Sequence, residues 1–360
     1  MKKTKIKKKK ISNLIYFLVG GLFGGGIGVI YLIFGTNIIA ILTSLVVWFY
    51  LGIVVHELGH LICGWISGYT FGSFRLGSLS WFIEDNVVKF KSSKNFVSGQ
   101  CLMIPPDDEA NFKFILYNLG GGLFNFLIVL VMLFFWYIFP SSNFLQDFII
   151  VGIFINLFFG ITNLIPLRSQ GNDGANIAEA LKSTDGKRAF YLIMYINGQL
   201  MRGKRINELD EETVCIYDKL NTENYLVGNV LMYELEYLLE NNQAEKALDI
   251  AQQVNIDRFP TIYRELFNST KLLIYVSYLP DFDKARAIYE EKNFQKFLKM
   301  KIPNVNFVLP AYEFFVNNDY EKAKKLLVQI RKDIDDLPNK GERLRLNDYL
   351  DDFAEKMESN

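Results

Sequence analysis

Three long stretches of this sequence contain neither a charged residue nor a histidine, and they constrain the fold more than any other feature. They cover residues 11–55, 114–146 and 148–167. A helix that crosses a membrane needs about 20 consecutive apolar residues. The first stretch is therefore long enough for two spans, and each of the others for one. From about residue 175 onward charged residues occur at the density of a soluble protein, which predicts a membrane-embedded half followed by a soluble C-terminal half.

The charge balance and the cysteines exclude several other classes of protein. The 360 residues include 39 Lys+Arg and 39 Asp+Glu, whereas a nucleic-acid-binding protein is expected to be basic. Half of the residues are hydrophobic, which excludes a disordered, collagen-like or coiled-coil chain. The three cysteines are far apart and odd in number, which predicts reduced thiols. We therefore expect the lipid bilayer as a partner and no nucleic acid.

The distribution of lysines predicts how the chain is oriented. Seven lysines lie within residues 1–10, and basic flanks stay on the cytosolic side of a membrane. A cleaved signal peptide is the alternative, but its apolar core should be only about 7–15 residues long. We predict a multi-pass protein of the cell membrane with both termini in the cytosol and four spans, at Leu14–Phe34, Ile38–Trp65, Phe114–Phe139 and Phe148–Ile165.

The second predicted span ends with the sequence His-Glu-Leu-Gly-His, from His56 to His60. Residues four apart share a helix face, so both imidazoles can bind one metal ion, and Glu57 is placed to accept a proton from a water at that ion. Zinc (Zn2+) is the natural ion for two imidazoles and one oxygen ligand. The chain has 2 histidines, and both are in this motif. Ionisable residues inside a span are functional candidates, although a polar cluster satisfied by water and headgroups is the alternative.

A third metal ligand is expected from the end of the fourth span. Pro166 ends that span, and Asn172-Asp173-Gly174 follows it. Both this segment and the histidine motif end spans that run from outside to inside, so Asp173 is predicted to complete a His, His, Asp set. The alternative is a turn or helix-capping role, since Asn-Asp-Gly is typical of turns.

Together these motifs resemble the site-2-protease-type intramembrane zinc metalloproteases, a peptidase family (M50-like) that cuts substrates within or beside the membrane. The resemblance covers residues 38–180 and rests on three segments: His56–His60, the Asn163–Pro166 and Asp173-Gly174 pair, and Gly121–Asn125. It implies that His56, His60 and Asp173 bind zinc and that Glu57 is the catalytic acid/base. It also implies that Asn163 and Asn125 orient the substrate or stabilise the oxyanion.

The chain departs from that family's pattern at two points. Asn172 stands where the family has Leu, and a longer stretch separates Pro166 from Asp173. No PDZ insertion is visible. The membrane asparagines also have a simpler explanation than catalysis. Hydrogen bonding between helices in lipid explains Asn118 and Asn125, as well as Asn156 and Asn163. Cys63 is predicted to face the site as a small apolar residue, with a ligand role as the alternative.

The polar segment 67–111 contains strand-like runs such as Val87–Lys91. The resemblance implies a membrane-associated β element near the active site, to which an extended substrate could add as a strand. An ordinary cytosolic loop is the alternative.

The soluble half contains a four-residue motif that recurs every 38 residues. Ala244–Ala247, Phe282–Ala285 and Tyr320–Ala323 each follow a polar turn and an aromatic-rich helix. Such a fixed period indicates a helix–turn–helix array resembling tetratricopeptide repeats, with a non-repetitive helical bundle as the alternative. Solenoids of this kind offer concave surfaces for a peptide or protein partner.

These inferences give one predicted architecture and one predicted function. We expect an all-α membrane protein of about four transmembrane helices with a membrane-associated β element, followed by a cytosolic α-solenoid. The predicted domains are a protease domain over 1–175, a helical connector over 176–222 and a repeat domain over 223–360. The predicted function is zinc-dependent cleavage of a membrane-anchored regulator or small membrane peptide. The alternatives are a non-catalytic membrane scaffold and, disfavoured by the lack of an inverted repeat, a metal-dependent transporter.

Overall fold

The computed structural model describes residues 38–84, 87–138, 143–167, 171–300, 302–337 and 339–359. The chain divides into two compact units. Within the described residues, the first unit comprises 38–67 and 113–175, and the second comprises 68–112 and 176–359. The lysine-rich N-terminus and the predicted span Leu14–Phe34 lie outside the described residues.

The first unit consists mainly of three long apolar helices, which are α1 (Ile38–Ile66), α2 (Phe114–Ile138) and α3 (Asn143–Leu164). Their mean hydropathies reach 2.2, 2.2 and 2.1. Each is long and apolar enough to cross a membrane, because about 20 helical residues span its hydrocarbon core. Three of the four predicted spans are thus confirmed as helices of membrane-spanning length.

The third helix begins earlier than the sequence predicts. The predicted span starts at Phe148, immediately after the charged residue Asp147, whereas α3 starts at Asn143. Asp147 is only 3% exposed and lies within the helix. A single buried carboxyl group therefore does not end the helix.

Glycines bring the helices of the first unit into close contact. A β-carbon on Gly120 of α2 would lie 2.5 Å from the carbonyl oxygen of Gly59 on α1, so only glycine permits this approach. Ile41 of α1 packs with Val151 and Ile155 of α3 in a buried apolar cluster. Large apolar side chains cover the opposite faces of the helices, as expected for surfaces that contact lipid.

A short helix, α4 (Asp173–Ala180), follows α3. A side chain at Gly174 would clash with the carbonyl oxygen of Leu164, so this glycine lets the start of α4 lie directly against the end of α3. The boundary between the two units falls inside α4, after Ala175. The predicted domain boundary lies at the same residue.

The polar segment between α1 and α2 is a long β-hairpin. Its strands, β1 (Thr70–Glu84) and β2 (Val87–Ile104), pair antiparallel, with Phe74 opposite Cys101 and Trp81 opposite Phe90. The register shifts near Gly77, which adopts a φ of 59° that favours glycine. The strand-like character of this segment is confirmed. However, the hairpin belongs to the second compact unit, whereas the sequence prediction grouped it with the membrane helices.

The second unit otherwise contains helices. They are α5 (Thr184–Met201), α6 (Glu211–Val214), α7 (Tyr225–Glu240), α8 (Ala244–Gln253), α9 (Thr261–Leu273), α10 (Phe282–Tyr289), α11 (Lys292–Leu298), α12 (Pro303–Asn306), α13 (Leu309–Phe315), α14 (Tyr320–Asp335) and α15 (Lys340–Ser359). The turn Ile274–Tyr278 that continues α9 is π-helical.

The hairpin is held to these helices by packing and by charge. Ile104 packs where Gly198 of α5 leaves room, since a β-carbon there would lie 2.5 Å from its side chain. Arg343 of α15 forms an ion pair with Glu84 at the end of β1. Nζ of Lys91 of β2 lies 3.2 Å from Oδ1 of Asp336. The hairpin is thus part of the core of the second unit.

The three copies of the motif that recurs every 38 residues occupy equivalent structural positions. Helices α8, α10 and α14 begin at Ala244, Phe282 and Tyr320, the first residue of each copy. The last alanine of each copy is 0% exposed, at Ala247, Ala285 and Ala323. The period therefore reflects a repeated helix start with a buried alanine in its first turn. The complete solenoid stays a prediction.

We predict that Ala285→Leu destabilises the second unit by about 1–3 kcal/mol, because a larger side chain has no room at a fully buried position. Ala287→Leu is the matched control, since Ala287 lies in the same helix and is exposed. Thermal unfolding of the purified protein in detergent, followed by circular dichroism, should show a lower midpoint for Ala285→Leu alone. Equal midpoints for the two variants would show that the position of Ala285 has room for a larger side chain, which would contradict the prediction.

Candidate metal centre

Three side chains predicted as metal ligands meet in the first unit. Nε2 of His56 lies 3.2 Å from Nε2 of His60. Oδ2 of Asp173 lies 3.2 Å from the first of these nitrogens and 3.3 Å from the second. Within the described residues, these three side chains form a group that could hold a metal ion. Asp173 follows His60 by 113 residues along the chain (173 − 60), and the fold brings it next to both histidines.

The size of this triangle fits a tetrahedral metal site. Zinc binds imidazole nitrogen and carboxylate oxygen at about 2.0–2.2 Å, which places neighbouring ligand atoms of a tetrahedron about 3.3–3.6 Å apart. Of the three separations, 3.3 Å lies at the lower limit of that range, and the two of 3.2 Å lie about 0.1 Å below it. Three protein ligands leave a fourth position for water or substrate, as in catalytic zinc sites.

The outer ring nitrogens of both histidines are held by the protein. Nδ1 of His56 donates to Oδ1 of Asn125 at 2.9 Å, and Nδ1 of His60 donates to the carbonyl oxygen of Tyr117 at 2.9 Å. These bonds assign the proton of each neutral ring to Nδ1. Each Nε2 therefore points its lone pair at the centre of the triangle, as a metal ligand must.

The centre of the triangle needs a positive charge. Oδ2 of Asp173 is buried and has no hydrogen-bond partner. A buried carboxylate and two facing lone pairs repel one another unless a cation lies between them. The donor set therefore fits zinc.

Gly121 of α2 keeps the centre open. A β-carbon at this position would lie 2.5 Å from Nε2 of His56 and 2.6 Å from Nε2 of His60. Any side chain there would displace the ligand atoms. In the sequence Gly121 is recognisable only as part of a motif, and this role is not predictable from it.

Asn172 positions Asp173, a role that its residue type did not predict. Its Oδ1 accepts from the backbone N–H groups of Leu167 and Ala175, at 3.0 and 3.1 Å. Its Nδ2 donates to the carbonyl oxygens of Thr162 and Ile165, at 2.7 and 2.8 Å. Asn172 thus joins the end of α3 to the start of α4 and performs the capping considered for Asp173. The carboxylate of Asp173 is free of that task and faces the histidines.

The ligands lie near one end of the three helices. His60 is six residues before the last residue of α1, about 9 Å along the axis at the usual helical rise. Tyr117 and Gly121 lie near the start of α2, and Asp173 follows the end of α3. Alternating helix directions bring these three ends together. The prediction that the two ligand segments share one membrane depth agrees with this arrangement.

Glu57 is buried beside the metal ligands, with 8% of its surface exposed. It follows His56 directly in α1, and it is not part of the ligand group. A carboxylate in this position is available for proton transfer, but its catalytic role stays a prediction. Cys63 is buried against Gly120 and is not part of the group either.

The asparagines form a buried hydrogen-bonded chain behind His56. Nδ2 of Asn125 donates to Oδ1 of Asn156 at 2.9 Å and to the carbonyl oxygen of Gly52 at 3.0 Å. Asn156 in turn donates to the carbonyl oxygen of Gly152 at 2.9 Å. Bonding between helices, one of the two explanations considered for these asparagines, is therefore present for Asn125 and Asn156. The chain also gives Asn125 a role in orienting His56.

Asn163 and Asn118 make bonds within their own helices. Nδ2 of Asn163 donates to the carbonyl oxygen of Phe159 at 3.0 Å, and Nδ2 of Asn118 donates to that of Phe114 at 2.7 Å. The predicted contacts of Asn163 and Asn125 with substrate stay predictions.

Comparison of the chain with protein-family models, with curated proteins and with solved structures finds no match. Function is therefore inferred from the sequence motifs and from the geometry of this centre.

We predict that Asn125→Ala weakens zinc binding by about 10–100-fold, because partners of ligating histidines contribute roughly this much to metal affinity. Asn118→Ala is the matched control, since Asn118 is a buried asparagine of the same helix that bonds to its own backbone. Competition with a chromophoric chelator measures both affinities. Equal affinities for the two variants would contradict a role for Asn125 in orienting His56.

Proposed function

We propose that this protein is a zinc-dependent intramembrane endopeptidase. One observation carries the proposal: His56 and His60, inside a helix of membrane-spanning length, converge with Asp173, and Glu57 follows His56 directly in that helix. Ionisable groups are costly in such a setting and are usually retained for function. The resemblance to site-2-protease-type enzymes supports the same activity.

The metal would be held by Nε2 of the two histidines and by the carboxylate of Asp173. When bound, zinc supplies a Lewis acid that lowers the pKa of a water to about 7. Asn125 and the carbonyl group of Tyr117 fix the imidazoles, so the ligand atoms need no rearrangement during the reaction.

Glu57 would carry the proton transfers. Its carboxylate takes a proton from the attacking water and then gives a proton to the nitrogen of the departing amine. In this proposal Asn163, and Asn125 through its place beside His56, orient the substrate or stabilise negative charge on the former carbonyl oxygen.

The proposed substrate is a membrane-anchored regulator or a small membrane peptide. The metal centre lies about two turns inside the end of α1, so a scissile peptide bond would reach it near one membrane surface. The side chain of Asp173 is 19% exposed, which gives the centre a narrow opening for water. The lysine-rich N-terminus favours a cytosolic position for both termini, in a multi-pass protein of the cell membrane.

The repeat helices of the second unit are proposed to form a cytosolic solenoid that binds a peptide or protein partner. The equivalent helix starts at Ala244, Phe282 and Tyr320 support this part of the proposal. A partner bound there would affect the choice of substrate or the regulation of cleavage, because a binding surface contributes affinity and does not break bonds.

A non-catalytic membrane scaffold that retains the protease fold is the second candidate. The buried carboxylate of Glu57 favours the enzyme, because a scaffold has no use for an acid/base beside its metal. The two candidates therefore differ in what they predict for a change at Glu57.

We predict that Glu57→Gln lowers cleavage of a membrane-anchored peptide by at least about 100-fold, the usual contribution of general acid–base catalysis. Zinc content should stay at the wild-type level, because Glu57 is not a ligand in this scheme. Mass spectrometry of peptide products in proteoliposomes measures cleavage, and elemental analysis measures zinc.

His56→Ala is the matched control and should lose both zinc and cleavage. Loss of zinc in Glu57→Gln would show that Glu57 is a ligand. Undiminished cleavage in Glu57→Gln would refute its role as acid/base. Wild-type protein that binds zinc and cleaves no membrane peptide would favour the scaffold.

A further inference from the structure

The second unit contains a cavity whose walls combine aromatic rings with charged groups. Its volume is about 450 Å³, within the range of about 300–1,000 Å³ typical of ligand sites. It is bounded by α7, the π-helical turn Ile274–Tyr278, and helices α13 and α15. The aromatic residues that line it are Tyr278, Phe307, Phe315, Tyr349 and Phe353.

The charges that line the cavity do not balance. Four of the lining residues are acidic and three are basic, so their net charge is −1 (3 − 4). Two pairs are formed directly: Arg205 lies 2.5 Å from Asp348, and Arg345 lies 3.1 Å from Glu236. The remaining acidic residue of α7 that lines the cavity is Glu240.

The carboxylate of Glu240 is only loosely paired, with the backbone of Asn207 and the guanidinium group of Arg345 as its neighbours. Both of its oxygen atoms are buried and have no hydrogen bond of standard geometry. The nearest guanidinium nitrogen, Nε of Arg345, is 3.8 Å from Oε1, and the same guanidinium group is already bonded to Glu236. Burial raises the pKa of Glu240, and the charge of Arg345 offsets this only in part. A buried carboxylate that has donors nearby but makes no close hydrogen bond is costly, so the cavity is suited to a ligand that brings a closer donor.

We propose that this cavity binds the cationic side chain of a lysine or arginine in a peptide. Such a side chain brings N–H donors and a positive charge to Glu240, which would make the net charge of the lining zero. Its methylene groups and its charge also suit aromatic walls, since cations are attracted to the faces of aromatic rings. An acidic ligand is disfavoured because it would add a further carboxylate next to Glu236 and Glu240.

This inference deepens the proposed partner-binding role of the repeats by naming the chemistry of the partner. It rests on residues of the second unit and not on the metal centre or on cleavage. Binding should therefore be unchanged in Glu57→Gln, so that failure of the peptidase proposal and failure of this one can be told apart.

The test uses the full-length protein in detergent and isothermal titration calorimetry. The probe is a short acetylated and amidated peptide with one lysine between two leucines, and its matched control has norleucine in place of lysine. We expect the lysine peptide to bind at least about 10-fold more tightly than the norleucine peptide, because one charged hydrogen-bonded contact is worth about 1.5–3 kcal/mol.

A matched pair of protein variants locates the contact. Glu240→Gln keeps the shape of the side chain and removes its charge, and it should weaken binding of the lysine peptide by at least about 10-fold. Glu245→Gln, at an exposed position of α8, should leave binding unchanged. Equal affinity for the two peptides, or equal affinity in the two variants, would overturn the proposal. The comparison of peptides needs no variant, so it holds even if Glu240→Gln folds poorly.

One further arm separates two sources of the lysine. The N-terminal ten residues carry seven lysines and could occupy the cavity of the same chain. If they do, replacing all seven by glutamine should tighten binding of the probe, since a tethered competitor is removed. Unchanged affinity would assign the cavity to a separate peptide.

Discussion

The first unit depends on a single electrostatic requirement, the need for a cation between two imidazole nitrogens and a carboxylate. Nε2 of His56, Nε2 of His60 and Oδ2 of Asp173 lie within 3.3 Å of one another in a unit otherwise built from apolar helices. Without a positive charge this arrangement would be strongly unfavourable. Gly121 leaves room for the ligand atoms, and the amides of Asn125 and Asn172 hold the segments that carry them.

That support comes from groups that carry no charge. The glycine contact between α1 and α2 brings Tyr117 close enough to hold His60, and Gly121 leaves the space that the ligands share. Asn125 orients His56, and Asn172 fixes the start of α4. Neutral hydrogen bonds of this kind satisfy polar groups inside a membrane at a lower desolvation cost than further charges would.

Much of this could be predicted from the sequence, where one residue type or one period carries the information. Charge-free stretches predicted four spans, and the three that lie within the described residues are helices of spanning length. The i, i+4 histidines predicted a shared face, and the 38-residue period predicted the equivalent helix starts. Contacts made by common residues were not predictable. Glycine and asparagine have many roles, so nothing in the sequence distinguishes Gly121 or Asn172 from a packing glycine or a turn asparagine. The predicted span starts at Phe148, after the charged Asp147, whereas α3 starts at Asn143. The prediction was wrong because Asp147 is buried within the helix. The association of the hairpin with the second unit depends on long-range ion pairs such as Arg343 with Glu84, which leave no local signal.

X-ray absorption spectroscopy at the zinc edge, on the full-length protein in detergent, tests the central claim most directly. We expect one zinc ion per chain with two imidazole nitrogens at about 2.0–2.1 Å and further oxygen ligands, and no sulfur. In Asp173→Ala the metal loses its carboxylate ligand, so the signal from oxygen ligands should change. The signal from the two imidazoles should stay in whatever zinc remains bound. A chain without stoichiometric zinc, or a sulfur ligand at about 2.3 Å that implicates Cys63, would contradict the account.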